Sequence, residues 1–289
     1  MNIMLKTMKL KKSILFLGLS VVLISCGGGD DGPSGPTNPP GGNLPEVPDE
    51  SFETLVWSDE FDVEGSPDAE KWGYDLGDGC PNLCGWGNNE AQYYTDRPEN
   101  VIVDDGLLKI TLKKESYEGS NYTSTRMLTQ GKYDFKYGKL EVRAKLPSGG
   151  GTWPAIWMLG SNISTAGWPA CGEIDVMEHA GNRQGEVSSA LHTPSSSGAT
   201  INTGKQTIND VSEEFHVYTV EWKRESITFS VDETIHYTYS PSNRTDDTWP
   251  FYLDQFIILN VAMGGSFGGN IDGDFVESTM EVDYVRVYQ

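Results

Sequence analysis

The sequence predicts an all-β sandwich, and three observations carry that prediction. Apolar and polar residues alternate over short stretches: Leu140, Val142, Ala144 and Leu146 are interleaved with Glu141, Arg143 and Lys145. Successive side chains of a strand point to opposite faces, so a period of two buries one face and wets the other. No convincing stretch sustains the i, i+3, i+4 apolar spacing of an amphipathic helix. Gly-rich segments separate the alternating runs, and many strands divided by such turns pack as sheet on sheet.

The chain opens on Lys6, Lys9, Lys11 and Lys12, followed by an apolar run from Ile14 to Ile24. At about 1.5 Å per residue that run covers roughly half of a ~30 Å hydrocarbon core, so residues 1–25 read as a signal peptide and not a spanning helix. Its end, Leu23-Ile24-Ser25-Cys26-Gly27, resembles the lipobox of bacterial lipoproteins, in which Cys26 becomes a lipidated N-terminus. Residues 26–50 are rich in Gly, Pro, Asp and Ser, too poor in apolar surface to order themselves, and read as a tether. The Gly-Gly-Gly-Asp-Asp after Cys26 resembles the acidic export signal of surface lipoproteins. That resemblance implies an outer-membrane lipoprotein at the cell surface.

Residues 51–289 read as one large β domain without internal repeats. Within it, Ile227, Phe229 and Val231 alternate with Thr228, Ser230 and Asp232. After a short turn the pattern resumes at Ile235, Tyr237 and Tyr239, which predicts a hairpin. The formal charge is −21, from 42 acidic and 21 basic residues. Nucleic-acid binding needs a basic surface, so that class is excluded as a partner, and a sulfated polysaccharide fits poorly. Of the four cysteines, Cys26 is assigned to lipid, which leaves Cys80, Cys84 and Cys171: one disulfide at most, and one thiol over. Cys80 and Cys84 flank a loop short enough to close, but spacing does not decide the pairing. A thiolate zinc site is not expected, since the four His are scattered.

The densest chemistry lies at Glu173-Ile174-Asp175-Val176-Met177-Glu178-His179. In a strand, Glu173 and Asp175 share a face while Ile174 and Val176 enter the core. Glu178 falls on the wrong face unless one residue is inserted. A β-bulge at Val176-Met177 would restore it. Three carboxylates on one face push their pKa values apart, which is how a general acid and a nucleophile arise from like groups.

That segment and its flanks resemble glycoside hydrolase family sixteen, in its laminarinase branch. The resemblance rests on Trp153-Pro154-Ala155-Ile156-Trp157-Met158-Leu159 and on Trp168-Pro169-Ala170-Cys171-Gly172 running into Glu173. It extends, in the family's order, to Trp57-Ser58-Asp59-Glu60-Phe61-Asp62, Gly85-Trp86-Gly87-Asn88-Asn89-Glu90, Tyr137 to Lys145 and Asp283 to Tyr288. Ala91 stands where a leucine is usual, a difference in packing. The resemblance sharpens the sandwich to a concanavalin A-like jelly roll with a concave substrate cleft. It implies Glu173 as nucleophile, Glu178 as general acid/base and Asp175 as the residue that orients and tunes them.

Retaining glycosidases hold the two carboxyls about 5–5.5 Å apart and inverting ones about 6.5–9.5 Å. Five strand steps would separate the two Cα atoms by about 16 Å, so retention comes from the resemblance and not from spacing. Trp153, Trp157 and Trp168 offer indole faces to sugar CH faces and N–H groups to hydroxyls; Trp157, inside an apolar run, is partly packing. Asn88, Glu90 and Arg126 match positions that line the family's cleft, and His192 falls on the next predicted strand, beside the carboxylates, whereas His179 is read as structural. The resemblance alone implies a structural Ca2+ on Glu60, the Gly106 carbonyl and Asp283, remote from chemistry that needs no cofactor.

The activity implied is retaining endo-hydrolysis of β-1,3 bonds in laminarin-type glucans, with mixed-linkage β-1,3-1,4-glucan as second substrate, by a monomer. Agarases and carrageenases share the bulge, but the Trp-Gly-Asn-Asn-Glu and Trp-Pro-Ala-Cys-Gly stretches argue against them. A non-catalytic glucan-binding lipoprotein is the rival from another class, and such relatives lack one or both glutamates.

Overall fold

The structure, a computed structural model, describes residues 51–289. The signal peptide, the Cys26 lipid site and the tether expected from the sequence lie outside the described residues.

Among the described residues, seventeen strands follow one another. The first seven are β1 (Leu55–Asp59), β2 (Gly73–Asp75), β3 (Gln92–Tyr94), β4 (Val101–Asp104), β5 (Leu107–Tyr117), β6 (Ser120–Ser124) and β7 (Arg126–Leu128). Five more are β8 (Gly138–Lys145), β9 (Thr152–Gly160), β10 (Glu173–His179), β11 (Glu186–His192) and β12 (Thr203–Thr207). The chain closes with β13 (His216–Trp222), β14 (Ile227–Val231), β15 (Thr234–Tyr239), β16 (Gln255–Met263) and β17 (Glu277–Tyr288). Among the described residues, helix is confined to single turns such as α1 (Ile163–Ala166) and α2 (Gly265–Gly268).

The strands form two sheets. One has ten strands, in the order β15-β14-β13-β8-β17-β5-β6-β3 with β1 on β17 and β4 on β5; the other runs β12-β11-β10-β9-β16-β7-β2. The predicted sandwich is therefore present. Leu140, Val142, Ala144 and Leu146 are fully buried, as the alternation required, and β1 and β17 pair so that the two ends of the domain meet. The core lies between the sheets, where Ile174 and Met177 of β10 meet Val142, Phe229 and Val285 from the other layer. Each such side chain contributes about 1.5–3 kcal/mol by leaving water.

The β14–β15 hairpin forms, but not with the alternation expected. Its turn is Asp232-Glu233, both at positive φ (48° and 66°). The register then slips, so that Phe229 faces Tyr237 while Ser230 faces Ile235. His236 is the extra residue, and Ile235 is 64% exposed instead of sharing the core face of Tyr237. A bulge reverses face in this way, and no apolar pattern announces it.

Cys80 and Cys84 form the disulfide, and Cys171 is the buried free thiol.

Candidate active site

The bulge anticipated in β10 is where the sequence placed it. Against β9, Asp175 faces Trp157 and Met177 faces Ile156; against β11, Asp175 faces Ala190 and Glu178 faces Ser188. Val176 has no counterpart in either ladder. The insertion puts Val176 and Met177 both into the core and returns Glu178 to the face of Glu173 and Asp175. Register then carries one row across all seven strands: Asp75, Arg126, Asn260, Ala155, Glu178, Ser188 and Lys205. That row is the floor of the site.

Each glutamate is held by an indole. Trp168 Nε1 donates to Glu173 Oε2 at 2.7 Å, and Trp153 Nε1 to Glu178 Oε1 at 3.1 Å. His192 Nε2 lies 3.1 Å from Asp175 Oδ2 and 3.7 Å from Glu173 Oε1. The Gly198 N–H donates to His192 Nδ1 at 3.1 Å, so the proton of a neutral ring sits on Nε2, turned toward the carboxylates.

Burial dominates the electrostatics. It pushes Glu173 up to about 8, with the Asp175 charge adding to the effect and His192 and the Trp168 N–H opposing it. Burial likewise pushes Glu178 up to about 7, against the Trp153 N–H, with the Glu173 charge adding. Asp175 is held well above the ordinary range by burial and by Glu178. Asp175 Oδ2 also lacks an aligned hydrogen-bond donor, whereas Glu173 has one. The hydrogen bond between the two carboxyls favours the charged form of Asp175 and lowers its pKa, so Glu173 is the donor and Asp175 the acceptor to which its proton can pass.

The flank toward β7 and β2 is aromatic and charged. The Arg126 guanidinium lies between two indoles, 4.7 Å from the Trp86 ring and 4.7 Å from the Trp157 ring, and pairs with Asp75 at 3.1 Å. Trp157 Nε1 donates to Asn260 Oδ1 at 2.7 Å. Arg126 thus covers one face of each ring, and Trp157 is braced as well as site-facing. Glu90 accepts from Asn88 Nδ2, Gln92 Nε2 and the Tyr94 hydroxyl, at 3.2, 2.7 and 3.3 Å. Burial still raises its pKa. Trp168, by contrast, is 48% exposed and presents an open face.

The opposite flank is small and polar. A groove of about 220 Å³ beside Glu178 is lined by Ser188, Ala190, Thr203, Lys205 and Phe267. The Phe267 ring packs 5.3 Å from Trp153 and lies under Arg183 at 4.6 Å. A larger groove of about 840 Å³ crosses the outer face of the ten-stranded sheet, between residues such as Lys139, Glu221 and Tyr284. The three carboxylates lie on the other sheet, and Glu178 and His192 line the smaller groove.

Two expected features lie elsewhere. His179 is buried in the β10 end, where its Nε2 accepts from the Gly185 N–H and burial lowers its pKa to about 4; it is structural. Glu60, Gly106 and Asp283 come to one end of the ten-stranded sheet, through the pairing of β17 with β1 and β5. Both Glu60 oxygens accept from Arg286, at 3.0 and 2.8 Å, and Asp283 pairs with Arg143 at 2.5 Å. As arranged, these carboxylates neutralise arginines and leave no open oxygen cage.

Sequence reasoning missed Asn260, Tyr94 and Phe267. Asn260 carried a signal, being a lone amide inside the apolar run Phe256 to Met263. Phe267 carried none, because its glycine-rich segment reads as a turn.

The sequence matches the Glycosyl hydrolases family 16 pattern over residues 88–286. It is 44% identical over 247 residues to a β-glucanase of Rhodothermus marinus, covering 81% of this chain and 85% of the relative. The fold superposes on a laminarinase from Flavobacterium sp. UMI-01 with a TM-score of 0.77 at 46% identity, over 82% of this chain and all of that one. It also superposes on SCLam, a non-specific endo-β-1,3(4)-glucanase crystallised with an oligosaccharide in its active site. There the TM-score is 0.78 at 42% identity, over 83% of this chain and 96% of that one.

Proposed function

This chain belongs to glycosyl hydrolases family 16, and from that premise we propose that it is an endo-β-1,3-glucanase acting on laminarin-type glucans. Mixed-linkage β-1,3-1,4-glucan is its second substrate. The observation that carries the reading is the bulged face of β10, which turns Glu173 and Glu178 to one surface, each tethered by an indole N–H.

Glu173, relieved of its proton by Asp175, attacks the anomeric carbon. Glu178, about half protonated near pH 7, donates to the departing glycosidic oxygen. The covalent glycosyl-enzyme is then hydrolysed by a water that Glu178 activates, and the configuration is retained. Trp168 offers its open face as a sugar platform, and the Trp157–Arg126–Glu90 side supplies the hydroxyl-reading groups.

The test is reducing-end release from laminarin, barley β-glucan, agarose and κ-carrageenan, by the protein and by Glu173→Gln. Laminarin cut fastest, with the variant inactive, is the expected result. Retardation of the protein in a laminarin gel without any cleavage would replace the hydrolase by a glucan-binding protein.

From sequence we further propose lipid attachment at Cys26, a monomer, and display at the cell surface. Labelled palmitate incorporated by the native chain but not by Cys26→Ser tests the first. A structural Ca2+ at Glu60, Gly106 and Asp283 would have to displace Arg286 and Arg143. A melting temperature unmoved by millimolar Ca2+ after chelation counts against it.

A further inference from the structure

Bulges leave a residue outside the ladder, and its backbone groups must find partners elsewhere. In β10 that residue is Val176, unpaired against both β9 and β11. Its carbonyl accepts a 2.7 Å hydrogen bond from the hydroxyl of Ser189. Ser189 is the single β11 residue standing opposite the inserted pair, since its neighbours Ser188 and Ala190 face Glu178 and Asp175. It is fully buried.

A serine hydroxyl has one proton, and Val176 O receives it. The ring nitrogen 2.9 Å away, His236 Nε2, must therefore be the donor to Ser189 Oγ. His236 Nδ1 has no hydrogen-bond partner among the described residues, as expected of the unprotonated nitrogen in that tautomer. His236 is itself the extra residue of the bulge in β15, which belongs to the other sheet. The second bulge is what turns this side chain inward instead of leaving it in the alternation of its strand.

We infer that Ser189 and His236 are positioning residues for the reaction: a two-link hydrogen-bond chain that runs between the sheets, fixes the Val176 bulge and thereby aims Glu178. The inference rests on the proposed role of Glu178 as proton donor. Without the Ser189 hydroxyl, a buried carbonyl and a buried ring N–H both lose their partners, a penalty the strand relieves by shifting at the bulge. Glu173 and Asp175 precede the bulge, in register with β9 and β11, whereas Glu178 follows it with the single indole bond from Trp153, so the shift falls on Glu178.

The consequence is selective. A glucan needs a proton on its leaving oxygen, whereas 2,4-dinitrophenyl β-laminaribioside releases a phenolate that does not. Ser189→Ala should lower kcat on laminarin roughly 10- to 100-fold with KM little changed, because a donor misplaced by about 1 Å costs on that order. On the aryl substrate the loss in kcat/KM, which reports the first step alone, should stay within about threefold. His236→Gln, whose amide N–H stands where Nε2–H stood, should retain most laminarin activity, and His236→Leu should fall in the direction of Ser189→Ala. If Ser189→Ala does not fold, Ser189→Cys, of similar shape and weaker as a donor, should show the same selectivity.

Glu178→Gln runs alongside. If it loses laminarin but keeps kcat/KM on the aryl glycoside, with a burst of phenolate before the slowed second step, the acid assignment holds. An equal loss on both substrates by Ser189→Ala, or full laminarin turnover by it, then overturns the bulge lock alone. Full laminarin turnover by Glu178→Gln would overturn the acid assignment and this inference together.

Discussion

Replacing Glu173 by Gln should stabilise the fold, and by an amount that grows with pH. Burial beside Asp175 holds the Glu173 carboxyl at about 8, against 4.5 when free. Between those values the folded chain binds more protons than the unfolded one, so stability is full below pH 4.5 and falls as pH rises toward 8. Each pH step costs about 1.4 kcal/mol, and the interval amounts to about 5 kcal/mol. A glutamine of the same shape has no charge to desolvate and still offers an oxygen to Trp168 Nε1. Removing Glu173 also relieves Asp175 and Glu178, whose fields it shares, so the wild-type deficit is not the whole gain. We expect Glu173→Gln to exceed the native protein by about 3–5 kcal/mol at pH 8.5 and by almost nothing at pH 4.5. Guanidinium unfolding at half-unit pH intervals reads the difference, with equal slopes required for the comparison. A stability difference that stays constant with pH, or a variant less stable at pH 8.5, would refute the claim that burial sets the state of this carboxylate.

Three further outcomes follow from the same geometry. Turnover of laminarin should decline as pH rises through about 7, because Glu178 must carry a proton and burial holds it near that value; a profile flat to pH 9 excludes Glu178 as the donor. Trp168→Phe keeps a ring but removes the N–H on Glu173 Oε2. Its laminarin kcat/KM should drop about tenfold, the scale of one charge-assisted hydrogen bond, with activity lost preferentially at low pH as the Glu173 pKa rises; an unchanged profile would show the bond to be idle. Arg126→Met removes the guanidinium between Trp86 and Trp157 and leaves Asp75 alone. It should cost about 1–3 kcal/mol by urea unfolding, and a loss of activity without loss of stability would make Arg126 a substrate contact only.

The sequence carried much of this site and little of its support. Alternation around Leu140 and Val142 announced the sandwich, since a period of two survives any topology. The order of strands within each sheet left no such mark, and neither did the row joining Asp75, Arg126, Asn260, Glu178 and Lys205, whose members lie far apart in the chain. The β10 bulge was legible because three carboxylates cannot be divided between a core and a solvent face without cost. The β15 bulge was not, because Ile235, His236 and Tyr237 can each occupy either face of an edge strand. Glu60 and Asp283 were matched by position alone, and the ion pairs that now hold them depend on Arg286 and Arg143, to which position gave no pointer.

The two flanks of the Glu178 row differ in kind, and the difference bears on how an internal bond is cut. Toward β2, the floor is an arginine clamped between indoles and a carboxylate ringed by Asn88, Gln92 and Tyr94, groups already held in place before any sugar arrives. Ordering them costs nothing at binding, so contacts there are retained as affinity. Toward β12, the floor is Ser188, Ala190 and Thr203, with Lys205 tied to Glu186 at the rim. Small side chains give less contact area and hold a departing chain weakly. Interactions that persist on one side while the other lets go suit an enzyme whose intermediate keeps half of the polymer covalently attached and must release the other half before water can enter. Glu178, the proposed proton donor, stands at the boundary between the two flanks, on the residue that a single inserted valine brings to the surface.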